Sequence, residues 1–285
     1  MNNLRKTLKK NQIIYWAWRT AKNGWTNVKI LFKKIALLKY NDYPGLNGKI
    51  SHNDSLLANN ITHYISVGNS AIENIESALR ASNKSFDALK SVLDFPCGHG
   101  RVLRVLATKV SPAKITACDI DEDGINFCEK EFHCKKILSD KNISKIQFPE
   151  HYELIWVGSL FTHFDKDAFS DLLTLSFSSL EPGGVLVFTT HGRHSVETFH
   201  RYWEKHPGSM PLSSEQLQKE LASSGGFYYA PYHNAEGYGV SVSLQPYVVN
   251  LIEKLFKGKA KVLFFNERGW DDHQDVFAIQ KESEL

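Results

Sequence analysis

The chain has 285 residues, 42% hydrophobic and 23% charged, an ordinary soluble make-up at a length that suits one α/β domain with an appendage or two small domains. No apolar run nears the ~20 residues that cross a bilayer. The start reads as lacking a secretory leader, and the four cysteines hold no C-x-x-C pair, so a reduced, cytoplasmic protein without a disulfide framework is expected. The net charge of +3 hides a division, because residues 1–41 carry ten Lys or Arg and no acid.

In that basic block Leu4, Leu8, Ile13, Ile14 and Trp18, then Val28, Leu31, Phe32, Ile35 and Leu38, recur at helical spacing, with a break at Gly24. Residues 41–60 are rich in Asn, Asp, Gly and Pro. Residues 1–60 therefore read as a basic helical N-terminal extension and linker, and 61–285 as the main domain. A helix is expected over 61–82, with Ser70 as a cap. Strands and helices then alternate: strand Ser91–Phe95, helix Arg101–Lys109, strand Lys114–Asp119, helix Glu122–Phe132, strand Lys136–Ser139, strand Tyr152–Gly158, helix 165–180 and strand Gly184–Thr190. Such alternation predicts a Rossmann-like, mostly parallel sheet with helices on both faces. Residues 192–244 read as a less regular, aromatic-rich insert. A helix Gln245–Phe256 and two strands, Lys261–Asn266 and Asp275–Gln280, close the chain as an antiparallel edge.

In such sheets ligands sit at the carboxyl ends of the strands. The first end is the run Asp94–Arg101, where Gly98 and Gly100 let a ligand approach the backbone. Asp119, 21 residues beyond Gly98, ends the second strand, where a carboxylate accepts the hydroxyls of a ribose. Glycine loop and acid together point to a nucleoside-containing cofactor. A dinucleotide fingerprint needs a third glycine where Leu103 stands, and the Asp94 carboxylate would repel a pyrophosphate but suits an ammonium. S-adenosyl-L-methionine is therefore favoured over a nicotinamide dinucleotide.

The series Val92-Leu93-Asp94, Cys97-Gly98, Gly100, then Cys118-Asp119-Ile120-Asp121, Tyr152–Leu160 and Leu180-Glu181-Pro182-Gly183-Gly184 resembles the class I S-adenosylmethionine-dependent methyltransferases. Within that class it is similar to a bacterial small-molecule and glycan-type subgroup. The resemblance implies a seven-stranded sheet whose last strand is antiparallel. It implies that Asp94 holds the methionine amine and that Phe95, Pro96, Gly98, Gly100 and Arg101 line the cofactor, Pro96 replacing a commoner glycine. Asp119 would bind the ribose, Ile120 would pack on the adenine, Ser139 or Asp140 would face its edge, and Ser159 would complete the set.

A methyl acceptor must be aligned and lose its proton. Histidines at the ends of the fourth and fifth strands, His163 and His191, are the candidate bases. His191 suits loop positioning equally well, while His99 reads as orienting the glycine loop. His191, His194 and His200 lack the carboxylate or cysteine that would complete a metal set, so no metal is expected. The Pro-Pro-aromatic motif of base-methylating DNA enzymes is absent after the fourth strand. The expected activity is methyl transfer to oxygen of a small molecule or a cell-surface glycan precursor, with Tyr228, Tyr229, Tyr232 and Tyr238 as an acceptor lid or a packed subdomain. Two alternatives stand beside it: a nicotinamide-dependent oxidoreductase, and a catalytically degenerate methyltransferase fold that only binds. The basic block of residues 1–40, with Trp16, Trp18 and Trp25, suits the inner face of a membrane, packing within the molecule or an oligomer, or, less well, nucleic acid.

Overall fold

The computed structural model describes residues 45–283 apart from 58–59, 199–211 and 233–236. The helices expected within residues 3–39 lie outside the described residues.

Helix α1 (Ile61–Ala81) starts where the Asn60 side chain accepts the His63 N–H. Ser70, expected as a cap, lies inside this helix instead. Its hydroxyl accepts the Asp271 N–H at 3.0 Å and faces the Gly269 carbonyl at 3.3 Å, tying α1 to a distant turn. Strand β1 (Val92–Asp94), helix α2 (Leu103–Leu106), strand β2 (Ile115–Asp119), helix α3 (Glu122–Phe132) and strand β3 (Lys135–Leu138) follow. Next come β4 (Tyr152–Val157), helix α4 (Lys166–Ser178) and β5 (Leu180–Thr190). Helix α2 is shorter than expected because its ends tighten into three-residue bonds, such as Val105 N–H to Val102 O at 3.0 Å. Strand β5 begins earlier than expected. Leu180 already pairs with Tyr152, and the Glu181–Gly184 turn is accommodated as an irregularity before Leu154 meets Val185.

The sequence insert is more regular than its composition suggested. Residues 193–198 are helical, helix α5 (Ser214–Ser223) opens on a Ser213–Gln216 capping box, and β6 (Phe227–Pro231) pairs antiparallel with β7 (Gly239–Ser243). Helix α6 (Gln245–Phe256), β8 (Ala260–Trp270) and β9 (Gln274–Lys281) complete the described chain.

The main sheet has the order β3-β2-β1-β4-β5-β9-β8. Strands β1 to β5 are parallel, β9 runs antiparallel to β5, and β8 runs antiparallel to β9. Both faces are covered. Val67, Ile75 and Leu79 of α1 with Leu103 and Ile125 pack one face around Trp156, and Phe169, Leu172, Val248 and Ile252 pack the other around Phe188 and Phe277. Strand order reverses between β1 and β4, so a cleft opens at their carboxyl ends. This is the expected Rossmann-like architecture.

Candidate active site

Asp94, the last residue of β1, is buried, and among the described residues its carboxyl oxygens make no close hydrogen bond, with only a weak pull from the Leu103 N–H and the Arg101 charge. Burial first, and the neighbouring Asp119 carboxylate second, push its pKa up to about 8. The chain then turns through a cis Phe95–Pro96 peptide, anchored by Phe95 N–H to Trp156 O at 3.0 Å and Cys97 N–H to Cys118 O at 2.9 Å. Gly98 and Gly100 have φ of +51° and +80°, the left-handed region open to glycine. Their roles differ. A Cβ on Gly98 would meet nothing within 4 Å, whereas one on Gly100 would come within 2.7 Å of the Phe132 ring. Gly98 thus leaves open space, and Gly100 permits close packing of the loop on α3.

Asp119 closes the opposite side. Its carboxylate accepts the Gly98 N–H at 2.7 Å and the Asp121 N–H at 2.9 Å, and burial raises its pKa. Ile120 follows with 49% of its surface exposed, an apolar side chain beside a buried acid. Ser139 is brought to the same corner, its N–H donating to the Asp119 carbonyl at 2.9 Å. Phe95, Arg101 and Asp140 also make contacts of their own. The Phe95 ring packs edge-on to Phe148 at 5.9 Å in the core, so only its backbone reaches the loop. Arg101 lays its guanidinium over the Trp270 indole at 5.6 Å and lies close enough to Asp94 to act on its charge. Asp140 is exposed and caps its own turn, accepting the Asn142 N–H at 2.8 Å.

The glycine loop is held from below by residues that sequence reasoning passed over. Arg104 is fully buried and donates to the carbonyls of Asn47 at 2.8 Å and Lys49 at 2.9 Å, with Tyr64 and the His99 carbonyl each at 3.4 Å. Its guanidinium lies between the Tyr64 and Phe132 rings. Asp54 accepts the Tyr64 hydroxyl at 2.5 Å, and Asn53 donates to Asp123 at 2.7 Å. The expected linker is therefore, over residues 45–57, a docked strap. His99 hydrogen-bonds Asp123 through Nε2 at 3.0 Å, which fits the loop-orienting role read for it.

Across the cleft, Ser159 has φ +59° and sits in a small polar net. Its N–H donates to Thr189 Oγ1 at 2.8 Å, Thr189 donates to Gln274 Oε1 at 2.6 Å, and Gln274 Nε2 donates to Ser159 Oγ at 2.9 Å. His163 ends the short 3-10 turn Phe161–His163, and its Nδ1 donates to the Gly239 carbonyl at 2.8 Å. His191 Nδ1 donates to the Ser241 carbonyl at 3.2 Å, two residues along β7. Ser241 Oγ also donates to the Phe161 carbonyl at 2.8 Å, so β7 is bound to the ends of both β4 and β5. With the proton on Nδ1, each imidazole keeps Nε2 as an acceptor. Burial lowers the pKa of His163, and burial with neighbouring His273 and His163 lowers that of His191 to about 3. Both rings are therefore neutral near pH 7.

The four tyrosines divide. Tyr228 packs on the cluster of Val196, Leu217, Leu221 and Val242, and Tyr229 packs on the main core. Tyr238 stacks on His163 at 4.4 Å and 21°, and the Tyr232 hydroxyl lies 3.4 Å from His163 Nδ1.

Residues 92–184 match the family model described as "Methyltransferase domain". That stretch, about a third of the chain, is where its similarity to the class I methyltransferases lies. S-adenosylmethionine is the cofactor of this class. A fatty-acid O-methyltransferase of Mycolicibacterium smegmatis is 28% identical over 129 residues, 43% of this chain and 44% of that protein. A malonyl-[acyl-carrier protein] O-methyltransferase of Acetivibrio thermocellus is 24% identical over 125 residues, 44% of each chain. The match thus spans less than half the length of these curated relatives. Among solved structures, DesVI of Streptomyces venezuelae has a TM-score of 0.52 at 13% identity, covering 82% of this chain and 100% of that one. The plantazolicin methyltransferase BpumL, in complex with a desmethylPZN analogue and SAH, also has a TM-score of 0.52, at 14% identity over 80% and 88%. Both share the fold of the methyltransferase domain.

The domain's own residues fit the cofactor. Asp94 offers a buried carboxyl group whose oxygens make no close hydrogen bond among the described residues, a seat for an ammonium group. Gly98 offers open backbone, and Asp119 and half-exposed Ile120 offer an acid and an apolar ledge for a nucleoside.

Proposed function

We propose that the protein transfers the methyl group of S-adenosylmethionine to an oxygen of a small molecule or cell-surface glycan precursor. The observation that carries this reading is the pairing, across one cleft, of a cofactor loop with a neutral histidine. Asp94, Gly98 and Asp119 form one side, and His163, fixed on Gly239, stands at the end of β4 on the other. The sulfonium supplies an electrophilic methyl carbon when bound. Asp94 would hold the amine, Asp119 the ribose hydroxyls, and Ile120 the adenine face, with Ser139 at its edge.

In this reading His163 takes the acceptor proton on Nε2, and His191, drier and lower in pKa, positions β7. A neutral base is needed because transfer from a sulfonium already disperses positive charge, and an imidazolium there would oppose the approach of a second cation. The relatives' printed activities on carboxyl-bearing substrates support oxygen as the acceptor atom. The basic residues 1–40 are proposed to rest on an anionic membrane surface, which would bring the cleft to lipid-linked acceptors.

Titration calorimetry with S-adenosylhomocysteine and with NAD, followed by methyl-transfer assays with labelled S-adenosylmethionine, tests the reading. Binding of S-adenosylhomocysteine and transfer to oxygen are expected. Binding of NAD alone would replace it with the oxidoreductase reading, and cofactor binding without any turnover would favour a degenerate binding protein.

A further inference from the structure

Carboxylates and hydroxyls are both oxygen acceptors, but they ask different things of a protein. A carboxylate is ionised at pH 7, needs no base, and binds best beside a cation. A hydroxyl arrives with its proton and needs a neutral acceptor for it. Resting on the methyl-transfer reading above, we infer that the acceptor is an uncharged hydroxyl carried on a ring, of the pyranose kind, seated on Tyr238 and Tyr232 beside His163.

Three observations lead there. First, the tautomer of His163 is set by the Gly239 carbonyl, 2.8 Å from Nδ1, which leaves Nε2 to receive a proton. Such a fixed base would be idle before a carboxylate. Second, the contacts of His163 and Tyr238 with described residues offer an anion no cation. Among the described residues, the hydrogen bonds and ring contacts of His163 and Tyr238 involve Gly239, Tyr232 and Phe164, and no lysine or arginine. Burial, then Tyr232 and the Asp119 carboxylate, all act on Tyr238 against further negative charge. Third, Tyr232 and Tyr238 keep 40% and 37% of their surfaces exposed although Tyr229, from the same hairpin, is half-buried against the core. Their rings lie 6.0 Å apart at 55°, both against His163, an angled aromatic ledge next to the base. Aromatic faces of this kind hold the C–H face of a sugar or another flat ring while its hydroxyls reach polar groups.

The step balances simply. The acceptor oxygen gives its proton to His163 Nε2 and its lone pair forms the new C–O bond. The carbon–sulfur bond of the donor breaks with its electron pair left on sulfur, giving a neutral thioether, and the imidazolium then returns the proton to water.

The test uses the full chain, labelled S-adenosylmethionine, a panel of p-nitrophenyl pyranosides, and palmitate as the carboxylate. Transfer to at least one pyranoside is expected, with palmitate poorer by about a hundredfold, equivalent to two tenfold steps of ~1.4 kcal/mol. Tyr238→Ala should raise KM for that pyranoside about tenfold, as loss of one aromatic contact implies, while Tyr238→Phe keeps it. Tyr232→Ala gives an independent reading should Tyr238→Ala disturb the hairpin. Palmitate methylated as fast as any pyranoside, or no pyranoside methylated at all, overturns the inference. S-adenosylhomocysteine binding, measured on the same preparation, reports separately on the methyl-donor reading, which a hydroxyl-negative but cofactor-binding, palmitate-active protein would leave standing.

Discussion

His163 Nδ1 lies 2.8 Å from the carbonyl oxygen of Gly239, so a strand of the insert decides which nitrogen of the candidate base is free to work. The consequence is a pH profile of definite sign. His163 is pulled below its ordinary 6.5 by burial, with Tyr232, Tyr238 and His191 as the titratable groups around it. As a base it acts when unprotonated. The rate constant kcat should therefore fall only as the pH drops through a value below 6.5 and stay flat above it until other groups titrate. His163→Ala should lower kcat by about 10²–10⁴-fold and abolish that acidic limb, with S-adenosylhomocysteine affinity little changed. An unaltered pH profile in the variant would remove His163 from the chemistry.

The cofactor half of this cleft was legible in the sequence, and the acceptor half only in part. Gly98, Gly100 and Asp119 announce themselves because backbone approach and ribose recognition demand particular residue types at a fixed distance along the chain. Strand β7 does not. Its residues Gly239–Ser243 are all buried, which erases the period-two alternation of a half-exposed strand. Tyr228 and Tyr232 look equivalent by composition, yet one packs on Leu217 and the other on His163. Arg104 was invisible for a related reason. In sequence it is one basic residue in a helical run, and only the fold brings Asn47, Lys49 and Tyr64 around it.

That burial makes Arg104 a second test. Its guanidinium is the shared donor to the strap and to the loop carbonyl of His99. Arg104→Met removes a charge but strands the Asn47 and Lys49 carbonyls. It should cost about 2–4 kcal/mol in urea unfolding, since hydrogen bonds from charged groups contribute ~1.5–3 kcal/mol each. Because the strap also touches Asp123 through Asn53, cofactor affinity should weaken together with stability. A variant that unfolds as the parent does would show that the strap is held elsewhere.

The charge division predicts a surface interaction. Ten cations and no acids lie within residues 1–41. Each Lys or Arg close to an anionic bilayer contributes ~1 kcal/mol, an attraction that salt screens. The full chain should sediment with phosphatidylserine-containing vesicles at low ionic strength and be released by 0.5 M salt, a level at which the Debye length is only about 4 Å. A form lacking residues 1–40 should stay in solution while retaining cofactor binding. Equal, negligible sedimentation of both forms would sink the membrane role.

Asp94 offers the sharpest test of the cofactor reading, because stability and binding should respond to it in opposite directions. Its folded-state pKa is raised to about 8 from an ordinary 3.8. Between those values the folded protein holds a proton that the unfolded chain has released, so stability declines as pH rises through that window. Asp94→Asn removes the buried charge. The cofactor-free variant should therefore lose this decline and melt higher than the parent at pH 8.5, above the folded-state value. Binding runs the other way. An ammonium group entering beside Asp94 favours the carboxylate and expels its proton, so affinity for S-adenosylhomocysteine should rise from pH 6 to 7.5 with net proton release, below the folded pKa of about 8. Calorimetry in two buffers of different ionisation enthalpy measures that release directly. In Asp94→Asn the release should vanish and affinity fall by roughly tenfold or more, the loss of one charge-assisted hydrogen bond. If the variant bound as tightly as the parent, with the same proton count, the amine would have to lie elsewhere in the cleft, and the buried carboxyl of Asp94 would need another explanation.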